Sequence, residues 1–318
     1  MMQEQIHLKL EEVLNNIDRV VSGKREVAEL SIVALLAGGH VLLEDVPGVG
    51  KTVLVKALAK SIGATFKRIQ FTPDLLPSDV TGISIFNAKE QEFIFRPGPI
   101  MGHIILADEI NRTSPKTQSA LLEGMEEASV TIDGETRKLE QPFFVMATQN
   151  PIEHEGTYPL PEAQLDRFLL KLKMGYPTVE EEMEVLRRAG SYSPLQELQP
   201  VLRLEELLQL QAEVKDVVVD DKVKAYIIDL AHRTRNDLRI YLGVSPRGSI
   251  ALMKAAQAYA LLRSRDYVLP DDIQYLAPFV FGHRLILQPE AQYSAENAAF
   301  ILQDILSTTS VPVKRVAT

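Results

Sequence analysis

The chain has no cysteine and no tryptophan, only 6% aromatic residues, and no surplus of basic charge. Without cysteine there can be no disulfide, no thiolate nucleophile and no cysteine metal site. The 34 lysines and arginines face 43 aspartates and glutamates, a formal net charge of −9. That balance argues against broad attraction to nucleic acid or to an anionic membrane surface. No apolar run approaches the length of about 18 residues that a membrane span needs. The N-terminus, Met1-Met2-Gln3-Glu4-Gln5-Ile6, lacks the basic head and apolar stretch of a secretory signal, so cytoplasm is the expected compartment. The six histidines, His7, His40, His103, His154, His232 and His283, are scattered without metal-ligand spacing and are expected to be structural or at the surface.

What remains is an ordinary globular composition, 46% hydrophobic and 24% charged, over 318 residues, a length that suits two domains. The chain is organised around Val41-Leu42-Leu43-Glu44-Asp45-Val46-Pro47-Gly48-Val49-Gly50-Lys51-Thr52. It reads as a buried strand, a tight loop and the start of a helix that continues through Val53. Gly50-Lys51-Thr52 matches the end of the phosphate-cradling P-loop pattern, although the strict pattern has glycine where this chain has Asp45. Gly48 and Gly50 let backbone N–H groups turn toward an anion, and the helix start adds its unpaired amides. In that pattern Lys51 meets the β- and γ-phosphates and the Thr52 hydroxyl meets Mg²⁺.

An amphipathic helix over 4–21 and a second over 24–36 precede this loop. After it come a strand at 66–71, then apolar runs at 82–86 and 93–95 that predict a β-hairpin. The run His103–Ala107 predicts a buried parallel strand with Asp108-Glu109 at its tip. Ser114-Pro115 opens a helix to about Glu127, and Asp133-Gly134 turns a second hairpin. Phe143–Thr148 is another buried strand, leading into Asn150, and a short helix and strand close the region. From about 178 the pattern is nearly all helical, with stripes at 179–188, 204–214, 223–233, 246–262, 271–281 and 295–306. Gly190–Pro194 is the expected linker, dividing an α/β nucleotide domain (1–190) from an all-helical one (191–318).

Acids at the tip of a parallel strand share the ligand-binding edge with the P-loop. Asp108 is therefore the candidate Mg²⁺ ligand and Glu109 the candidate base for an attacking water. Asn150, on the same edge, can hold that water or a phosphate oxygen. Arg167 is either a local ion-pair partner of Asp166 or, in a ring, an arginine finger on a neighbour's γ-phosphate. Ser245 caps a helix with Pro246 at its first position, so Arg247 is expected to project from the first turn back across the cleft. Gln70 is a candidate partner of Glu109 before activation, and Asn111-Arg112 a candidate nucleotide or neighbour contact.

As a set these motifs resemble the MoxR family of AAA+ ATPases over nearly the whole chain. The resemblance rests on Leu43–Thr52, Gln70–Asp79, Asp108–Arg112, Ala147–Pro151, Leu165–Phe168 and Ser245–Arg247. It implies a three-layer parallel-sheet core with two β-hairpin insertions, about 82–97 and 129–141, and an all-α lid. It implies Lys51 and Thr52 as Walker A, Asp108 and Glu109 as Walker B, Asn150 as sensor 1, Arg167 as finger and Arg247 as sensor 2. ATP and Mg²⁺ are the implied cofactors, with Val46, Pro47, Gly48, Val49, Gly50, Lys51, Thr52, Val53 and Asp108 lining the nucleotide. It further implies a homo-oligomeric ring, usually a hexamer. The implied role is chaperone-like maturation of protein clients, often with von Willebrand factor A domains and sometimes with metal insertion. The chain ends soon after the helical region, so client choice is expected to lie in the hairpins, the ring surface or a separate protein.

Two other functions stay open on the sequence. Lys89, Arg96, Arg137 and Lys138, on or near the hairpins, suit a nucleic-acid remodeller, against the acidic net charge. A slow nucleotide-gated binding switch needs the same site. A magnesium-chelatase-type ATPase subunit is a near variant of the first reading.

Overall fold

The computed structural model describes residues 2–44, 46, 48–150, 156–188, 194–293 and 297–312. Helices α1 (Met2–Val20) and α2 (Arg25–Leu36) lead into strand β1 (Val41–Glu44) and helix α3 (Lys51–Ser61). Then follow β2 (Phe66–Gln70), α4 (Pro77–Thr81), β3 (Gly82–Asn87), β4 (Glu92–Pro97) and β5 (Ile104–Asp108). The α/β part ends with α5 (Pro115–Glu127), β6 (Ser129–Ile132), β7 (Glu135–Lys138), β8 (Phe144–Gln149), α6 (Glu162–Leu165) and β9 (Leu170–Leu172). Beyond it lie α7 (Val179–Arg188), α8 (Pro194–Glu197), α9 (Leu204–Glu213), α10 (Asp221–Asn236), β10 (Ile240–Leu242), α11 (Pro246–Leu262), α12 (Pro270–Phe281), β11 (Ile286–Leu287), α13 (Pro289–Tyr293) and α14 (Ala298–Thr308).

Five strands pair in parallel in the order β2-β5-β8-β1-β9. Because side chains alternate across a strand, each apolar strand feeds two cores. Val41, Leu43, Ile104, Leu106, Phe144 and Met146 face the layer built by α1, α2 and α3. Leu42, Ile105, Ala107, Val145 and Ala147 face the layer of α5, where Leu121, Leu122 and Met125 meet them. The result is the expected three-layer α/β core.

The buried residues of α9 to α12 and α14 run on from the first of these layers without a break. Helix α2 explains how. Its residues Val27–Leu36 are all buried, the mark of a helix enclosed on every side, and α11 packs on it. The Gly190–Ser193 part of the expected linker, and with it the 190/191 boundary, lies outside the described residues.

Both hairpins form, β3 with β4 and β6 with β7. Asp133 and Gly134 both take positive φ (53° and 80°), as a two-residue type I′ turn demands. The hairpins touch where the Arg137 guanidinium lies 4.2 Å from the Phe95 ring centre. The helical region carries elements that the sequence does not suggest: the short helices α8 and α13 and an antiparallel ribbon of β10 and β11. Its strands are too short for any alternation to register. No helix among the described residues is long and apolar enough to cross a membrane.

Candidate active site

The C-terminal edge of the sheet gathers the P-loop after β1, Asp108-Glu109 after β5, Asn150 after β8 and Gln70 at the end of β2. Gly48 (φ 87°) and Gly50 (φ 93°) adopt left-handed backbone, and Gly50 is the residue from which α3 starts, without a side-chain cap. The first amides of α3 are thus directed out of the loop beside Lys51 and Thr52. A Cβ on Gly48 would meet nothing within 4 Å, so the loop's outer face is open to a ligand. Asp45 and Pro47 of the expected loop lie outside the described residues, as does Pro151.

A cavity of about 630 Å³ opens beside this loop. Its walls are Val49 and Val53, Val20 and Val21 at the end of α1, and Val185 of α7. Lys24 donates to the Tyr176 carbonyl at 3.1 Å and sits 3.7 Å from Glu181, tying the α1–α2 turn to the start of α7. The helical prelude to the P-loop is therefore one wall of a pocket.

Asp108 is held on both oxygens. Arg68 donates to Oδ2 at 2.6 Å, and the Thr148 hydroxyl donates to Oδ1 at 2.7 Å. The same Thr148 oxygen accepts from the Glu109 N–H at 2.8 Å. Glu109 itself is in left-handed backbone (φ 57°, ψ 50°), a strained state for a residue with a Cβ that costs about 1–2 kcal/mol. Its carboxylate accepts from Gln70 at 2.8 Å and from Arg112 at 3.1 Å. Gln70 thus pairs with Glu109, and Arg112 binds the same acid. Asn111 is buried and donates to the Asn150 carbonyl at 3.4 Å, and Asn150 is itself buried, with 7% exposure.

The two arginines lie elsewhere. Arg167 and Arg247 converge on one carboxylate, Glu126 at the end of α5, at 2.9 and 2.6 Å. Their charges hold the Glu126 carboxyl below the usual carboxylate range, the Arg247 hydrogen bond being the largest cause. They line a second cavity of about 250 Å³ with Lys254 and Arg284, and it shares no residue with the cavity beside the P-loop. Arg247 projects from the first turn of α11 and crosses from the helical region to Glu126 of the α/β part. The start of α11 docks beside Asp166, with Ser245 Oγ 3.5 Å from that carboxylate, which places Arg247 next to Glu126.

Arg68, Thr148 and Glu126 were not singled out by the sequence. Arg68 and Asp108 are 40 residues apart, so only the β2–β5 pairing brings them together. Of the histidines, His40 and His283 are buried and bonded to main chain, and His232 is exposed. His154 lies outside the described residues. No metal-ligating cluster of His, Cys, Asp and Glu occurs among the described residues. Thr52 and Asp108 nevertheless present the hard oxygen donors that Mg²⁺ takes beside a phosphate.

Residues 40–170 match the family model "ATPase family associated with various cellular activities (AAA)", and 232–305 match the "AAA lid domain". The chain is 64% identical over 315 residues to the uncharacterized protein YeaC of Bacillus subtilis, covering 99% of this chain and 98% of that one. It is 43% identical over 312 residues to Chaperone MoxR1 of Mycobacterium tuberculosis, across 95% of this chain and 82% of the relative. Protein MoxR of Paracoccus denitrificans is 30% identical over 332 residues, at 96% and 97% coverage. The crystal structure of a candidate ATPase from Cytophaga hutchinsonii superposes with a TM-score of 0.92 at 40% identity, covering 98% of this chain and 97% of that one. With a P-loop, paired acids and a helical lid in the expected places, the chain belongs to the MoxR family of AAA+ ATPases.

Proposed function

We propose that the protein hydrolyses ATP at sites shared between neighbouring subunits of a homo-oligomeric ring, taken as a hexamer. The observation that carries this is the separation of parts. Lys51, Thr52, Asp108 and Glu109 lie on one sheet edge, while Arg167 and Arg247 converge on Glu126 in a different cavity. Two guanidiniums already gathered around one anion suit a γ-phosphate presented by the next subunit.

In this scheme the base of ATP enters the apolar cavity between α1 and α7, and the phosphates lie along Gly48–Thr52 to Val53. Thr52 and Asp108 hold Mg²⁺, which supplies neutralisation of phosphate charge. Glu109 accepts the proton of the attacking water, Asn150 orients that water, and Arg167 and Arg247 of the neighbour stabilise the transferring phosphoryl group. Residues 1–190 act as the nucleotide-binding unit and 191–318 as the lid. The energy is spent on a chaperone-like maturation of a cytoplasmic protein client, a role supported by the name of the MoxR1 relative. A client with a von Willebrand factor A domain, with or without metal insertion, is the form of this proposal drawn from the family resemblance. Arg137, offered above for nucleic acid, is bonded to Glu135 at 2.5 Å, and Asp133, Glu135 and Glu140 are all exposed around that hairpin. A protein client suits this surface better.

The test is steady-state hydrolysis with ATP-binding measured alongside. Glu109→Gln is expected to bind ATP and lose turnover by about 10²–10⁴-fold. Arg167→Ala is expected to bind ATP yet lose turnover by about 10³-fold or more in the assembled ring. Normal hydrolysis by Arg167→Ala in an assembled ring sinks the shared-site reading.

A further inference from the structure

Arg284, from the turn after α12, is 4% exposed in its side chain, and its partners are unusual in number and place. Its Nε donates to Asp166 Oδ1 at 2.6 Å. Its Nη2 donates to the carbonyls of Asp166 at 3.1 Å and Phe168 at 2.8 Å, and its Nη1 to Leu169 at 3.3 Å and to Val280 of α12. His283 adds a bond from its Nε2 to the Phe168 carbonyl at 3.0 Å. The acceptors on Asp166, Phe168 and Leu169 bracket Arg167 on both sides. One guanidinium from the helical region therefore grips the backbone that carries the proposed finger.

The same side chain fixes the start of α11. A Cβ on Gly248 would stand 3.0 Å from Arg284 Cδ and 2.5 Å from Val244 Cγ1, so the first turn of α11 closes on Arg284 only because residue 248 is glycine. Arg247 is the neighbouring residue. Ser245, at the cap of that turn, faces the other oxygen of Asp166.

We propose that Arg284 is a positioning residue that clamps the helical lid to the Asp166–Leu169 segment, so that Arg167 and Arg247 reach a neighbouring subunit as one rigid pair. This rests on the shared-site reading for its effect on turnover, though not for the clamp itself. The planar, five-donor guanidinium is what makes the grip possible. A lysine ammonium at that place has three donors and no fork, and cannot serve the carboxylate and four carbonyls together. The clamp also gives the lid a direct means of moving both arginines: any rotation of α11 and α12 carries the finger segment with it.

The absence of cysteine permits a clean measurement. Spin labels are placed on Glu162→Cys in α6 and Lys222→Cys in α10, and the distance distribution is recorded with and without Arg284→Lys. A single narrow distribution is expected for the wild-type side chain and a broadened or shifted one for Arg284→Lys. In steady-state assays Arg284→Lys is expected to lower kcat about 10- to 100-fold while the KM for ATP stays within about twofold, since misplacement touches the arginines and not the P-loop. Should Arg284→Lys fail to fold, Gly248→Ala is measured in the same two ways, since its added methyl pushes on Val244 and Arg284 while removing no hydrogen-bonding group. An unchanged distance distribution together with kcat within twofold, in whichever variant folds, overturns the proposal. If Arg167→Ala and Arg247→Ala keep full turnover, the shared-site reading fails instead, and the label distances still decide the clamp.

Discussion

The side-chain amide of Gln70 donates to the carboxylate of Glu109 at 2.8 Å, across neighbouring strands of the sheet. The proposed base is thus bonded to an edge strand, with Arg112 on the same oxygen at 3.1 Å. A carboxylate held this way must exchange a charged hydrogen bond before it can take up a water. Gln70→Ala is therefore expected to raise basal turnover of the unassembled chain, by about five- to tenfold for one such bond. Single-turnover assays at low protein concentration measure this, and a rate at or below wild type would show that Gln70 supports the base.

Glu126 offers a second experiment. Among the described residues it is the one acid on which Arg167 and Arg247 both close, in a cavity that also holds Lys254 and Arg284. Glu126→Ala leaves those guanidiniums to repel one another, so ring turnover is expected to fall about tenfold with little change in ATP binding. The defect should soften as salt rises, because screening weakens repulsion between partly exposed charges. A salt-independent defect would point to packing.

Gly50 tests the loop. At φ 93° its conformation is one that alanine adopts only at a cost of about 1–2 kcal/mol. The nearest atoms to an added Cβ, Met174 Cε and Val21 Cγ1, are 3.9 Å away, so backbone strain and not collision is the cause. Gly50→Ala is expected to lower the melting temperature by a few degrees and to weaken binding of a fluorescent ATP analogue at least tenfold, as the amides turn from the phosphates. Unchanged affinity in a folded variant would count against the loop as the phosphate cradle.

His40 gives a pH dependence of stability. Burial pushes its imidazole from 6.5 down to about 4, while it bonds the Met125 carbonyl and accepts from Val145 N–H. The unfolded chain takes up a proton between those values and the folded chain does not, so stability rises with pH through that window and is lost as pH falls through it. By pH 5 the loss from this one group is about 2 kcal/mol. Buried His283 is displaced in the same direction by burial and by Arg284, so it adds to the effect. Urea unfolding at pH 7 and pH 5 checks this: His40→Gln should show a smaller difference between the two pH values than wild type.

The sequence reveals those parts whose signals are local. Ser-Pro starts place α5 and α11 correctly, since a hydroxyl cap and a proline act within one turn. The apolar strands are legible because both faces of each are buried. The β10–β11 ribbon is not, because strands of two and three residues carry no period. Neither is the grouping of Arg167, Arg247 and Glu126, nor the grip of Arg284 on Asp166, because 118 residues separate that last pair and only the docking of α11 and α12 closes the distance. Arg247 shows both sides of this. Its place in the first turn follows from Ser245 and Pro246, while its partner, Glu126, is set by tertiary contacts.

Strand β2 is the outermost strand on its side of the sheet, and Lys67, Arg68 and Gln70 are exposed along it. Polar edge strands of this kind resist pairing with other chains, and they are also among the first parts of a sheet to open. Here that same strand supplies the partners of Asp108 and Glu109. The acids at the tip of β5, one strand in from the edge, therefore take part of their alignment from the sheet's most readily exchanging margin and part from Thr148 of β8. Amide exchange in β2 becomes a gauge of how firmly the acids are set, and a contact at that margin has a short route to the rate of the chemistry.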